Sequence, residues 1–252
     1  MTEFRPGSFQ ILPTVIKNLI IINVLVLLAQ LYLGKEASAF LENNFALHAW
    51  QSDLFQPWQF VTHLFMHGGW SHLFSNMLAL WMFGSILENL WGPKRFITFY
   101  LVCGLGAALC HMIVLSFENR GIISDYNSLL TSSGDLRGRA LAFISKYGNG
   151  YSGSPEQIFN YRINEATLGA SGAVFGCLAA FGYLFPNDYV YLSFLIPIKA
   201  KWFVLIYAGF ELTQAVQNSA GDNVAHVAHL GGALFGIVLV WFWNKNNKRN
   251  FY

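Results

Sequence analysis

Charge is what this sequence has least of. Only 11% of its 252 residues are Asp, Glu, Lys or Arg, while 54% are hydrophobic, against about 25% and roughly 45–50% in an average soluble domain. So few charges cannot coat a globular surface, which argues against a soluble fold. Cysteine is scarce as well. Cys103, Cys110 and Cys177 all fall inside apolar runs, without the spacing of a metal site or a disulfide framework, and read as small packing residues. A cleavable leader is not evident either: the first apolar run starts near residue 18, no small-residue cleavage site follows it, and it reads as a membrane span. The net charge is only +2, and no nucleic-acid partner is expected.

What the chain does have is long apolar runs and aromatic residues. Crossing a bilayer as a helix takes about 20 mostly apolar residues, because every backbone amide must be satisfied internally in hydrocarbon. Six segments qualify, near 16–33, 71–91, 95–116, 168–185, 202–218 and 225–243. The fourth ends at Pro186 and the fifth follows Pro197, Lys199 and Lys201, so both are short or interrupted. Aromatics make up 17% of the chain, and the eight Trp gather near the ends of the runs, where indole favours the membrane interface. The expectation is an all-α membrane protein: a tail over 1–15, a six-helix membrane domain over 16–243 and a basic tail over 244–252.

Lys and Arg near span ends set the orientation. With both termini cytoplasmic, the inner side collects Arg5, Lys17, Lys94, Arg95, Lys199, Lys201, Lys245, Lys248 and Arg249, while the short outer loops hold only Lys35. The polar third loop, about 118–166, is then external, and its Gly and Ser content predicts partial order at best. A compact chain of this kind suggests a bacterial plasma membrane.

Polar groups inside spans require a partner or a function. Gly169-Ala170-Ser171-Gly172 opens the fourth span and Ala228-His229-Leu230-Gly231-Gly232 opens the sixth. Both begin at the outer surface, which puts Ser171 and His229 at one depth. The second span also starts outside, with His72 and Asn76 at i and i+4 on one helix face. The chemistry that suits this set is acyl transfer. A serine hydroxyl becomes nucleophilic when an imidazole takes its proton, and the same imidazole can then protonate the leaving amine. His72, the Asn76 amide and the Ser171 backbone N–H are candidate oxyanion donors. No acid has an obvious place as a third member; Asp222, in the short fifth loop, is the one weighed, and a dyad is the expectation. Small residues at 169, 170, 172, 173 and 176 can face a Gly232-x-x-x-Gly236 surface, a pattern that permits close helix approach in lipid. Phe175, one turn below Ser171, is placed either to pack on the His229 ring or to serve as an ordinary packing aromatic.

These segments, together with His67-Gly68-Gly69-Trp70-Ser71-His72 and the Glu88–Arg95 turn containing Trp91-Gly92, resemble the motifs of the rhomboid family, in family order over roughly residues 15–243. The resemblance implies an intramembrane serine endopeptidase with Ser171 as nucleophile, His229 as base and acid, and His72 with Asn76 as the oxyanion hole. It implies cleavage of single-pass or polytopic membrane proteins near the outer boundary of the bilayer, without metal or cofactor. The large third loop and the absence of a Trp-Arg pair in the first outer loop depart from the family pattern. Trp50, Trp58 and Trp70 are the interface anchors available there instead.

Two rivals belong to other classes. A His-ligated metal-binding membrane protein would use His63 with His67 (i, i+4) or His226 with His229 (i, i+3), but no acid or thiolate joins them within a span. A catalytically silent, client-binding protein of the same family would have no need of both Ser171 and His229. Glu88 and Arg95 read as an inner-side ion pair or cap, and His63, His67, His111 and His226 as non-catalytic, with His67 the best placed to support the site. The fifth span, with Glu211, Thr213, Gln214 and Gln217 toward its outer end, is the candidate substrate gate.

Overall fold

A computed structural model describes residues 9–148, 151–192, 195–217 and 226–246. Most of it is helix. In chain order the elements are α1 (Thr14–Tyr32), α2 (Lys35–Phe45), α3 (Gln59–Thr62) continued by a 3₁₀ turn (His63–Phe65), and α4 (Trp70–Ala79), which runs through a π-helical stretch (Leu80–Gly84) into α5 (Ser85–Trp91). They are followed by α6 (Pro93–Thr131), α7 (Leu136–Tyr147), α8 (Pro155–Ile163) and α9 (Ser171–Leu184). A two-stranded antiparallel hairpin, β1 (Tyr189–Leu192) and β2 (Ile196–Lys199), then leads to α10 (Ala200–Gln217) and α11 (His226–Asn246).

Three of these helices, α1, α6 and α11, are long and apolar enough to cross a membrane, and α9 is a shorter apolar helix. α9 is buried along most of its length, packed among α6, α10 and α11, so it need not reach across the bilayer by itself. The helical segments fall where the apolar runs put them, with one large difference. The third run continues unbroken to Thr131. At ~1.5 Å per residue, 39 residues span about 58 Å, roughly twice a hydrocarbon core.

The part beyond the apolar run corrects the expectation of a loosely ordered third loop. Ile122, Phe143, Ile158 and Ile163 form a small apolar core of their own between the end of α6 and the helices α7 and α8. Tyr126 stacks on Phe159 with ring centroids 4.2 Å apart, and Asp125 accepts hydrogen bonds from Lys146 Nζ (2.7 Å) and the Tyr147 hydroxyl (2.8 Å). Ser154 and Gln157 close a capping box at the start of α8, which satisfies two of the amides that a helix start leaves unpaired. Composition concealed this order because a four-residue core needs few apolar residues.

At the opposite end of the bundle, Glu88 serves as a cap. Its carboxylate oxygens accept from Val15 N and Ile16 N, both at 2.9 Å, in the first turn of α1, while the Arg95 guanidinium lies 4.2 Å over the Trp243 ring.

Candidate active site

The segment between α1 and α4, residues 33–69, sets the register of the segment that precedes Ser171. Gln59 is fully buried, and its amide donates to Asn43 O and Leu54 O while accepting from His48 N and Gln56 N, so all four of its hydrogen-bonding positions are used. From this scaffold Leu47 pairs with Thr167 through two backbone bonds of 2.8 Å. His48 and Ser52 hold Asn164, and His63 O accepts from Gly169 N at 3.0 Å. His111 of α6 meets the Thr167 hydroxyl at 2.9 Å. The chain therefore enters α9 from a fixed direction. Gly169 makes the turn at φ +127°, a conformation that side chains disfavour, and a Cβ there would lie 2.9 Å from His72 Nε2.

Ser171 is the first residue of α9, where backbone N–H groups have no helical acceptor. Its Oγ and the His72 Nε2 both come within 4 Å of the same point above Gly169. His72 is oriented by Gly68, whose N–H donates to Nδ1 at 3.3 Å. An amide can only donate, so Nδ1 is the bare nitrogen, and the neutral ring carries its proton on Nε2, the atom turned toward Ser171. His72 thereby becomes a hydrogen-bond donor at the site. Asn76, one turn further along α4, is 5% exposed, and its Nδ2 has no partner among the described residues. α4 packs against α9, which puts a second unspent donor on the same side. The His67 ring meets His72 edge-on at 5.1 Å. Both its nitrogens are buried and unpartnered among the described residues.

His229 comes from the other side, in the first turns of α11. Its ring lies flat against Phe175, with centroids 4.2 Å apart and planes 4° from parallel. Phe175 is one helical turn from Ser171, so the stack brings the imidazole to the start of α9. Backbone approach makes this possible. A Cβ on Gly232 would collide with the Gly172 carbonyl, and one on Gly236 would sit 2.7 Å from the Gly176 carbonyl, so α9 and α11 touch main chain to main chain through two small-residue pairs. Among the described residues no hydrogen bond joins Ser171 Oγ to the His229 ring. Catalytic contacts are often long before substrate binds.

Glu211 is the residue the sequence did not put at this site. It belongs to α10, is 3% exposed, and takes His226 Nδ1 at 2.6 Å and His229 Nδ1 at 2.9 Å on one carboxylate oxygen. The expectation that no acid stands beside His229 is therefore corrected, and so is the reading of Glu211 as one of several polar groups on a gate. Asp222 lies outside the described residues. The signal was available: a carboxylate inside a span needs a partner, and the histidines of another span are such partners. Because an ionised carboxylate only accepts, His229 Nδ1 carries the proton and Nε2 is left as a bare base. The two rings are thus set in complementary states, His72 to donate and His229 to accept.

As possible metal ligands, His63 and His67 fare poorly, since His63 Nδ1 is committed to Gln59 O at 2.7 Å. Glu211, His226 and His229 bring one donor atom each within 4.8 Å of one another.

A family model described as the Rhomboid domain matches residues 54–246, which contain His72, Asn76, Ser171, Glu211, His226 and His229. The chain belongs to the rhomboid family. Rhomboid-like protein 11, chloroplastic, of Arabidopsis thaliana is 30% identical over 210 residues, 76% of this chain and 54% of that protein. Rhomboid protein 1, mitochondrial, of Saccharomyces cerevisiae is 25% identical over 181 residues, 72% of this chain and 40% of the relative. Rhomboid protease GluP of Bacillus subtilis is 26% identical over 178 residues, 71% and 25% respectively. This rhomboid thus spans about half the length, or less, of these curated relatives. Their names support a membrane protein, and they divide among chloroplast, mitochondrion and bacterium, so they do not support the bacterial plasma membrane over the others.

Proposed function

We propose that this rhomboid is an intramembrane serine endopeptidase that cleaves membrane-protein substrates near the outer boundary of the bilayer. The observation that carries the reading is the His229 ring, stacked on Phe175 beside Ser171 with its Nδ1 held by a carboxylate and its Nε2 free to accept a proton.

In this mechanism Ser171 Oγ attacks the carbonyl carbon of the scissile bond and gives its proton to His229 Nε2. The oxyanion is met by His72 Nε2–H, the Asn76 amide and the Ser171 N–H. The C–N bond then breaks, His229 returns the proton to the departing amine, and the acyl group stays on Ser171. Water, deprotonated by His229, attacks the acyl carbon, the bond from that carbon to Ser171 Oγ breaks, and His229 returns the proton to the serine oxygen. Glu211 holds the imidazole in the required tautomer throughout. α10 is the candidate gate: Trp202, Leu205, Ile206, Phe210, Leu212 and Val216 are exposed along it, as expected of a helix with one lipid-facing side. The Bacillus relative is named a protease, which supports the activity.

The test uses purified protein in liposomes with a transmembrane substrate, together with a fluorophosphonate that labels active serines. Ser171→Ala and His229→Ala should each abolish cleavage with thermal stability nearly unchanged. Asn76→Ala should slow it roughly 10²–10³-fold, the effect of losing one oxyanion donor. Cleavage by Ser171→Ala at the wild-type rate would refute the proposal and leave the client-binding reading.

A further inference from the structure

We propose that Glu211, His226 and His229 form a site for a divalent transition metal of the Zn²⁺ class, and that its occupation switches the peptidase off. The inference rests on the role assigned above to His229, but the site itself does not. Both ring nitrogens that point at Glu211 are Nδ1 atoms, and both meet the same carboxylate oxygen, at 2.6 and 2.9 Å. A His₂Glu set with one position open to water is a recurrent zinc geometry, with ligand bonds of about 2.0–2.2 Å. Tetrahedral ligands at such bond lengths stand about 3.4 Å apart, so a cation would need the carboxylate oxygen and the two ring nitrogens, now 2.6 and 2.9 Å apart, to separate by roughly 0.5–0.8 Å, within the reach of side-chain rotation. His226 opens α11 and its side chain is about one-tenth exposed, so the cluster lies at the end of the bundle read as external, within reach of ions in that compartment. One carboxylate and two neutral imidazoles carry a net negative charge in a poorly solvated place, which favours a cation over none.

The switch follows from imidazole chemistry. When a metal takes Nδ1 of a neutral ring, the ring's single remaining proton resides on Nε2. In His229 that is the nitrogen required to accept the Ser171 proton. The proton displaced from Nδ1 is the one that reappears on Nε2, so no proton is lost from the ring and no oxidant or reductant is involved. The bound metal also occupies Glu211, which removes the carboxylate that otherwise selects the active tautomer. His72 from α4 and His111 from α6 lie on the other sides of the site, with His111 spent on Thr167, and neither is needed as a ligand.

The experiment measures binding and activity separately on the full chain in detergent. Co²⁺ absorption spectroscopy and Zn²⁺ calorimetry read the site without any turnover. Fluorophosphonate labelling of Ser171 reads the nucleophile. His226→Asn is the key variant, because its amide can donate to Glu211 as Nδ1 does but is a poor ligand, and His226→Ala is a second. We expect one metal per wild-type chain. At a free Zn²⁺ concentration ten times the dissociation constant, labelling should slow roughly tenfold, following the vacant fraction, and a chelator should restore it. His226→Asn should label at the wild-type rate with or without Zn²⁺. The proposal is overturned if wild type binds no metal, if it binds metal with labelling unchanged, or if Zn²⁺ slows His226→Asn as much as wild type. One ion bound with His-nitrogen spectra to a chain that never labels would uphold the site and sink the peptidase reading instead.

Discussion

The contact between α9 and α11 offers a quantitative test, because glycine is all that lets these two helices approach. A Cβ on Gly236 would stand 2.7 Å from the Gly176 carbonyl oxygen, with two more Gly176 backbone atoms at 3.0 and 3.2 Å. Ordinary contact begins near 3.4 Å, so Gly236→Ala forces the helices apart by about 0.7 Å, the difference between 3.4 and 2.7 Å. The obstacle is main chain on a helix packed from several sides, so no rotamer change relieves it. Overpacking of this kind costs typically 1–3 kcal/mol, and for a chain of this size each kcal/mol lowers the melting temperature by about 2–4 °C. The wedge sits seven residues below His229, on the order of 10 Å along the helix, and displaces it from Ser171. Misplacing a catalytic group by 1 Å can cost about 10²-fold in rate, so labelling of Ser171 should slow by roughly 10- to 100-fold. Gly209→Ala is the internal control: nothing lies within 4 Å of a Cβ there, and the substitution should leave labelling unchanged and raise helix stability by up to about 1 kcal/mol. Thermal melts in detergent and labelling time courses decide the matter. A Gly236→Ala protein that melts and labels like wild type would refute the close-packing account.

Glu211→Gln should lower kcat by about 10²-fold or more, since a misdirected tautomer has been worth up to about 10⁴ in a comparable triad. KM should change little, Glu211→Asp should recover part of the rate, and equal kcat for Glu211→Gln and wild type would leave a true dyad. Acid stability should report on the segment between α1 and α4. Burial pulls His63 down to about 4, and burial together with the neighbouring His72 pulls His67 down to about 4. Their contribution is therefore fully present above pH 6.5, the unfolded value, and is lost as pH falls toward 4. At the lower end each ring withholds about 3 kcal/mol. Melting temperature measured from pH 7 to pH 4 should fall steeply, and His63→Gln should flatten part of that fall; a pH-independent melt would contradict the burial.

Much of the molecule could be read without coordinates. Apolar run length located the long apolar helices, because lipid allows few alternatives to a helix for an isolated segment. The polar residues at the ends of three of those runs pointed to the proposed site, since such groups in hydrocarbon need a reason. Phe175 stacking on His229, and Gly232 with Gly236 facing Gly172 and Gly176, were anticipated from i, i+4 spacing and side-chain size. Those inferences concern a single helix or a pair of small faces, and local periodicity is enough for them.

Other features were decided only in three dimensions. The sequence determined which residues had to be satisfied; the tertiary structure decided by whom. Glu211 could have met water, a lysine or a gate, and only the packing of α10 against α11 gives it to His226 and His229. Glu88 could have paired with Arg95, and instead caps α1 from more than 70 residues away. The order of residues 118–166 depends on Ile122, Phe143, Ile158 and Ile163 meeting across 41 positions of chain. Hydrogen bonds and small cores of this kind act over a few ångströms in space at any separation in sequence, and so leave no periodic trace along the chain.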